Sequence, residues 1–428
     1  MPRTLLIAAL AALGATVAAP SLAAQAPPPD SALIRRTLRL HRDTPMIDGH
    51  NDFPWEVRTQ AQLSLDRADM GHGLPSYQTD IARLRAGGVG GQFWSIYMAD
   101  TMLYRGAMKI TMEQIDIVHR MVERWPETFE LARTADDVER IHRAGRIASL
   151  LGIEGGHAIE NSLCALRQFY ELGARYMTLT WNNGLAWADA AMDSSRHNGL
   201  TAFGREVVRE MNRLGMLVDI SHVSDSVMAH VLRISEAPVI FSHSSARAIA
   251  NHPRNVPDGV LRMLPRNGGV VMVNFYCAFT DPAWVPRALR RHAAQQALRA
   301  RFSNDSAAYR RALAAWDEAN PRPPVPSLGI VADHIEHIRR VAGVDHVGYG
   351  SDFDGIDCAP QGLEDVSMFP RLTAELLRRG WSDADVRKVI WGNVLRVMRQ
   401  AEAVATRLRQ GRGPSAATLA ELDSAGVR

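Results

Sequence analysis

Met46-Ile47-Asp48-Gly49-His50-Asn51-Asp52 sets the pattern for the rest of the chain. An extended run, Pro45–His50, opens on apolar side chains and ends in His-x-Asp. Residues two apart on an extended backbone point to the same side, so His50 and Asp52 can grip one metal ion. The same design recurs. Ile147–Ile153 runs into Glu154-Gly155-Gly156, where the glycines let the backbone turn sharply after the carboxylate. Met216–Ser221 runs into His222, Val239–Ser242 into His243, and His346–Gly350 into Ser351-Asp352. Three further runs, Gly91–Tyr97, Tyr176–Thr180 and Gly269–Phe275, also read as strands. Amphipathic segments fill most gaps: Met112–Arg124, Ser162–Leu172, Ala202–Leu214, Asp225–Ile234 and Leu328–Val341. Eight strands with helices between them predict an α/β protein, a closed (β/α)8 TIM-like barrel rather than an open sheet.

Taken singly, each polar strand end has an ordinary explanation. A lone His is more often a hydrogen-bonded structural residue, and a lone Glu before Gly-Gly a turn residue. Together they read differently, because five strands deliver a His or a carboxylate to the C-terminal face, where barrel active sites form. His222 and His243 are 21 residues apart, about one strand–helix–strand unit, and so belong on neighbouring strands. Imidazole and carboxylate ligands suit zinc. Three His with two or three carboxylates exceed one tetrahedral site and argue for two metals sharing a carboxylate.

The chain of 428 residues is long enough for two or three domains, but one barrel with insertions also fits. A net charge of +3, spread along the chain, gives no case for nucleic-acid binding. Arg3, the apolar run Leu5–Ala19 and the small residues that follow predict a signal peptide over 1–26, with cleavage after Ala23 or Ala26. A retained anchor is the alternative, disfavoured by the shortness of the run. A Pro-rich linker (27–32) leads into the barrel at 33–405, and 406–428 reads as a polar tail or helix. The mature chain is therefore expected to be periplasmic or secreted, with no transmembrane segment. Cys164, Cys277 and Cys358 permit at most one disulfide and read better as mostly buried thiols. Trp55–Gln78 is a loop-rich excursion, and Pro286–Pro326 a helical insertion rich in Arg and Ala. That insertion could cap the site, could pack on a second subunit in a homodimer, or could be an exposed charged helical pair.

Several ordered motifs carry a family resemblance. They include IDGHNDFPW (Ile47–Trp55), GIEGGHAIE (Gly152–Glu160), RYMTLTWN (Arg175–Asn182), LVDISHVS (Leu217–Ser224), APVIFSHSSARAI (Ala237–Ile249), RNVPD (Arg254–Asp258), GSDFDG (Gly350–Gly355) and the closing segment Gly380–Val397. The chain resembles the membrane (renal-type) dipeptidases, zinc metallopeptidases of the amidohydrolase-like barrels, from about residue 33 to 400. The resemblance implies two zinc ions per chain: His50 and Asp52 on one, His222 and His243 on the other, and Glu154 bridging. It implies that Arg254 clamps the carboxylate of a dipeptide substrate and that Asp352 handles the proton as a metal-bridging hydroxide attacks the amide. It also implies an L residue first and tolerance of D or L second. His157 reads as structural. Trp181 departs from the family, standing where relatives place the His that binds the developing oxyanion, so that Asn182 or Asn183 would have to supply a donor. Two other readings stay open. One is a different amide or lactone hydrolase on the same scaffold, acting for instance on N-acyl amino acids; the other is a catalytically weak binding protein.

Overall fold

The computed structural model describes residues 31–99 and 106–423, so the expected signal peptide and most of the linker lie outside the described residues. A helix begins at Ser31 and runs to Asp43. The strands are β1 (Met46–Asn51), β2 (Val89–Tyr97), β3 (Phe129–Leu131), β4 (Ile147–Glu154), β5 (Ala174–Thr178), β6 (Leu217–Asp219), β7 (Ile240–Phe241), β8 (Val270–Val273) and β9 (Val347–Tyr349). All pairings are parallel, in the order β2-β1-β9-β8-β7-β6-β5-β4-β3, and a further β2–β4 pairing closes eight of the strands into a barrel. The expected fold is therefore present, with each of the eight expected strands in its place.

The ninth strand, β3, lies outside the ring. It takes the first half of one edge of β4 (Phe129↔Ile147 to Leu131↔Ser149), and β5 takes the rest from Leu151 onward. Only Phe129 of its three residues is buried, too short a run to show a period in the sequence.

β6, β7 and β9 stop sooner than their apolar runs suggest, and two buried carboxylates explain it. The amides of Ser221 and Ser242 turn to Asp219 Oδ1 at 3.0 and 2.9 Å. The amide of Ser351 turns to Asp48 Oδ1 at 2.7 Å. Each carboxylate satisfies backbone donors that a longer strand would have paired with its neighbour, so the chain leaves the sheet without orphaned groups.

Below this level the barrel is apolar. Ile47, Phe93, Leu150, Tyr176 and Met272 form one buried cluster, sealed by Val394, Leu395, Val397 and Met398 of the helix Asn393–Gly411. Each such side chain contributes about 1.5–3 kcal/mol by leaving water. The surrounding helices carry legible start signals. Thr134 and Asp137 form a reciprocal capping box, and Thr201, Ser224 and Ser382 cap the helices that follow them. Among the described residues no helix is long and apolar enough to cross a membrane.

The insertion folds as two helices, Val285–Arg301 and Ser306–Ala319. Asp317 of the second accepts from Arg287 (2.7 Å) and Arg291 (2.8 and 3.0 Å) of the first. The cysteine reading needs correction. Cys277 and Cys358 are disulfide-bonded, and only Cys164 is a free thiol, on the surface. The bond joins the segments that follow β8 and β9, whose backbones already meet through the Cys277 amide and the Cys358 carbonyl at 3.1 Å. Nothing in the sequence announces that proximity across a separation of 81.

Candidate metal centre and substrate chamber

His50, Asp52, Glu154, His222, His243 and Asp352 converge at the C-terminal mouth of the barrel. His50 Nε2 lies 3.4 Å from Asp52 Oδ2, 3.2 Å from Glu154 Oε2 and 4.0 Å from Asp352 Oδ1. The other oxygen of Glu154, Oε1, lies 2.9 Å from His222 Nε2 and 3.6 Å from His243 Nε2. The two histidine nitrogens are 2.9 Å apart. One carboxylate thus turns one oxygen to His50 and the other to the His222–His243 pair. Two sets of three residues bring their ligand atoms within 4.8 Å of one another: His50, Glu154 and His243, and His50, Asp52 and Asp352.

Local sequence explains the placement. Gly155, at φ +105°, turns the chain away once Glu154 has been delivered. His222 (φ +65°) and Asp352 (φ +68°) sit in the left-handed region, sparsely populated by residues other than glycine. Such strain costs on the order of 1–3 kcal/mol each and persists where surrounding bonds over-determine the backbone, as functional sites do.

The supporting residues escaped the sequence reading. His50 Nδ1 bonds Tyr176 Oη at 2.8 Å, and Tyr176 donates to the Gly49 carbonyl at 3.2 Å. With that hydroxyl proton committed, His50 must donate from Nδ1; burial works against a charged ring, but Tyr176, Asp52 and Glu154 outweigh it and hold His50 well above the usual imidazole range, so that a metal ion at Nε2 would take the place of the second proton. His243 is oriented the same way. Ser242 Oγ donates to Asp219 Oδ2 at 2.6 Å and accepts from His243 Nδ1 at 2.7 Å. Asp352 Oδ2 accepts from Asn274 Nδ2 at 2.8 Å. The available signal was a carboxylate inside an otherwise apolar run, as in Val218-Asp219-Ile220. Tyr176 could not be recognised, since its partner is 126 residues away.

Burial dominates the electrostatics. It pushes His222 down to about 3, aided by Arg254, and lowers His243 well below the usual imidazole range. Both rings are therefore neutral and can act as ligands. Burial works against a charged Glu154, but His50 and His222 outweigh it and hold the carboxyl well below its usual range. Burial raises Asp352 well above the carboxylate range, with Asp52 and Glu154 adding to the rise. His157 Nε2 donates to the Met98 carbonyl (3.2 Å), and the ring is lowered to about 4 by burial, in keeping with a structural role.

Above these residues opens a chamber of about 440 Å³, bordered by Trp181, Asn182 and Asn183. Trp181 is half-buried, with its edge on Tyr97 (ring centroids 4.9 Å apart) and its centroid 6.1 Å from His222. Arg254 lines a smaller adjoining chamber of about 120 Å³, which shares Asn182 and Tyr276 with the larger one. It is 1% exposed and lies over Phe279 at 5.2 Å. Its Nη2 donates to the His243 carbonyl at 3.3 Å, while Nε and Nη1 have no partner among the described residues. Leaving buried donors unpaired costs a few kcal/mol, a cost removed by an anion that docks there.

A family model for membrane dipeptidases, peptidase family M19, matches residues 34–412. Dipeptidase verJ of Clonostachys rogersoniana is 40% identical over 388 residues, covering 88% of this chain and 89% of its own. Dipeptidase 3 of Rattus norvegicus is 41% identical over 380 residues, covering 88% and 69%. Among solved structures, the probable dipeptidase PvdM from Pseudomonas aeruginosa is similar with a TM-score of 0.73 at 25% identity, covering 87% of this chain and 99% of its own. A metallo peptidase from Rhodobacter sphaeroides, liganded with a phosphinate mimic of the dipeptide L-Ala-D-Ala, has a TM-score of 0.67 at 25% identity, covering 84% and 99%. With its histidines and carboxylates gathered as described, the chain belongs to the membrane dipeptidase family, M19, and is a metallo-dipeptidase.

Proposed function

We propose that the chain hydrolyses dipeptides with the help of two zinc ions. The observation that carries this reading is the division of Glu154, one oxygen toward His50 and the other toward His222 and His243. The residues fit such a pair of ions on chemical grounds. His50 Nε2 and Asp52 Oδ1 are buried without a hydrogen-bond partner, and imidazole with carboxylate is a zinc donor set. His50 and Asp52 would hold one ion, His222 and His243 the other, and Glu154 would serve both. When bound, the ions supply a Lewis acid for the amide carbonyl and hydroxide at neutral pH.

The chain's own residues do the rest. Arg254 binds the C-terminal carboxylate of the dipeptide and limits its length. Glu56 and Asp354 border the large chamber beside Asp52, a carboxylate wall suited to the substrate's ammonium end. Asp352, held at one oxygen by Asn274, takes the proton of the attacking water at the other and returns it to the leaving amine. Asn182, which borders both chambers, supplies the oxyanion donor that Trp181 cannot. The Rhodobacter relative's phosphinate ligand mimics L-Ala-D-Ala. We carry over from it an L residue in first position and tolerance of D in second.

Asp352→Asn should lower kcat by on the order of 10²–10⁴ while metal analysis still finds two zinc ions per chain. Full activity in that variant would remove Asp352 from the reaction. Asn182→Ala should cost on the order of 10²–10³ in kcat if it is the oxyanion donor. A panel of dipeptides, N-acyl amino acids and lactones, run with and without chelator and then with zinc restored, tests the substrate class and the metal together.

A further inference from the structure

The inserted helix Val285–Arg301 does more than cover the site, because it forms one wall of the small chamber around Arg254. Among the described residues that chamber is bordered by Arg254, Arg287, Arg291, His252 and His292, and by no Asp or Glu. Burial lowers His252 to about 3 and also lowers His292, so neither adds charge at neutral pH. Asp317, behind the wall, offsets one of the two helix arginines, bonding Arg287 once and Arg291 twice. Asp357, beside Tyr276, is paired with Arg322, so counting Arg254, Arg287, Arg291 and Arg322 against Asp317 and Asp357, two positive charges remain around a space of about 120 Å³. One is matched by the C-terminal carboxylate of a dipeptide. The other has no counterpart in a substrate with a neutral second side chain.

The charge is local. Residues 285–326 hold eight arginines and three carboxylates, a larger excess than the net +3 of the whole chain. Beside Asp52, the border of the large chamber carries Glu56 and Asp354. The field along the two chambers therefore runs from carboxylates at the ammonium end of the substrate to arginines at its carboxylate end.

We propose that this dipeptidase selects dipeptides whose C-terminal residue is Asp or Glu, with the inserted helix supplying the recognition through Arg291. The inference rests on the reading of Arg254 as the clamp for the terminal carboxylate. A second carboxylate entering the chamber meets the guanidinium of Arg291 in place of water and gains a charge-assisted hydrogen bond that an amide of the same shape gains only weakly.

The test compares Ala-Glu with Ala-Gln, which differ in charge and hardly in shape, and with Ala-Ala. For the zinc-loaded enzyme, kcat/KM for Ala-Glu should exceed that for Ala-Gln by ~10–100-fold, mostly through KM, since the contact is made before and during the reaction alike. In Arg291→Gln the Glu-to-Gln ratio should fall close to one, and in Arg291→Lys most of it should return. Equal or better turnover of Ala-Gln by the wild-type enzyme overturns the inference and leaves the dipeptidase reading standing. An undiminished ratio in Arg291→Gln overturns it equally. Failure to hydrolyse any of the three dipeptides overturns both readings.

Discussion

His50 commits one ring nitrogen to Tyr176 and leaves the other facing three carboxylates. That division of labour is what a metal ligand needs, and it depends on one hydroxyl. Tyr176→Phe keeps the ring and its packing and removes the acceptor for Nδ1. Metal affinity should fall 10–100-fold, measured by competition with a chromophoric chelator, while the fold stays intact. Unchanged affinity would make the hydroxyl a core hydrogen bond and nothing more. At this scale the sequence told half the story. His50, Asp52, Glu154, His222 and His243 were legible because a charged or basic group at the end of an apolar run is conspicuous. Tyr176, Ser242 and Asn274 were not, because a hydroxyl or amide in a strand has ordinary uses and its partner here comes from elsewhere in the chain. Trp181 stood out only by comparison with relatives.

At the scale of the element, β4 and β5 show how a strand makes room for a functional side chain. Tyr176 of β5 lies over Gly152 of β4, and a Cβ at that glycine would come within 1.9 Å of the ring. Gly152→Ala must displace the ring, and with it the partner of His50. The variant should lose thermal stability and metal affinity together, the second shown by metal content after dialysis. A stable variant with full metal content would mean that β4 can shift without disturbing the site. The strands themselves were legible because β-branched and apolar runs between amphipathic helices leave few other readings. Their ends were not, since β6, β7 and β9 are cut short by Asp48 and Asp219, whose bonds to the amides of Ser242 and Ser351 on neighbouring strands no local pattern announces. β3 was missed for lack of length. The insertion was visible as a helical, Arg-rich stretch, but its place against the chamber depends on how the whole barrel presents it.

Taken as a whole, the molecule buries several histidines far from the metal site. His41 donates to the Gly87 carbonyl (3.1 Å) and bonds Thr373 Oγ1 (2.9 Å); His334 accepts from the Ala246 amide and donates to the Thr280 carbonyl, both at 2.9 Å. Burial lowers each from 6.5 to about 4. The sign follows directly. Between about pH 6.5 and 4 the unfolded chain binds protons at these rings and the folded chain does not, so stability falls as pH falls through that window. Each ring can account for up to about 3 kcal/mol, the two summing only if they titrate independently. Melting temperatures of the apoprotein should be steady near neutrality and drop steeply below pH 6, with proton uptake on unfolding in calorimetry. A flat profile down to pH 4.5 would mean that these rings are already protonated in the fold.

The bond between Cys277 and Cys358 has a consequence for anyone who makes this protein. Tyr276, next to Cys277, borders both chambers, so the crosslink staples the pocket lining rather than the reaction centre. Material ripened in a thiol-rich cytosol would keep its cluster of histidines and carboxylates yet grip peptides loosely, and batches differing only in oxidation history would disagree in KM while agreeing in kcat.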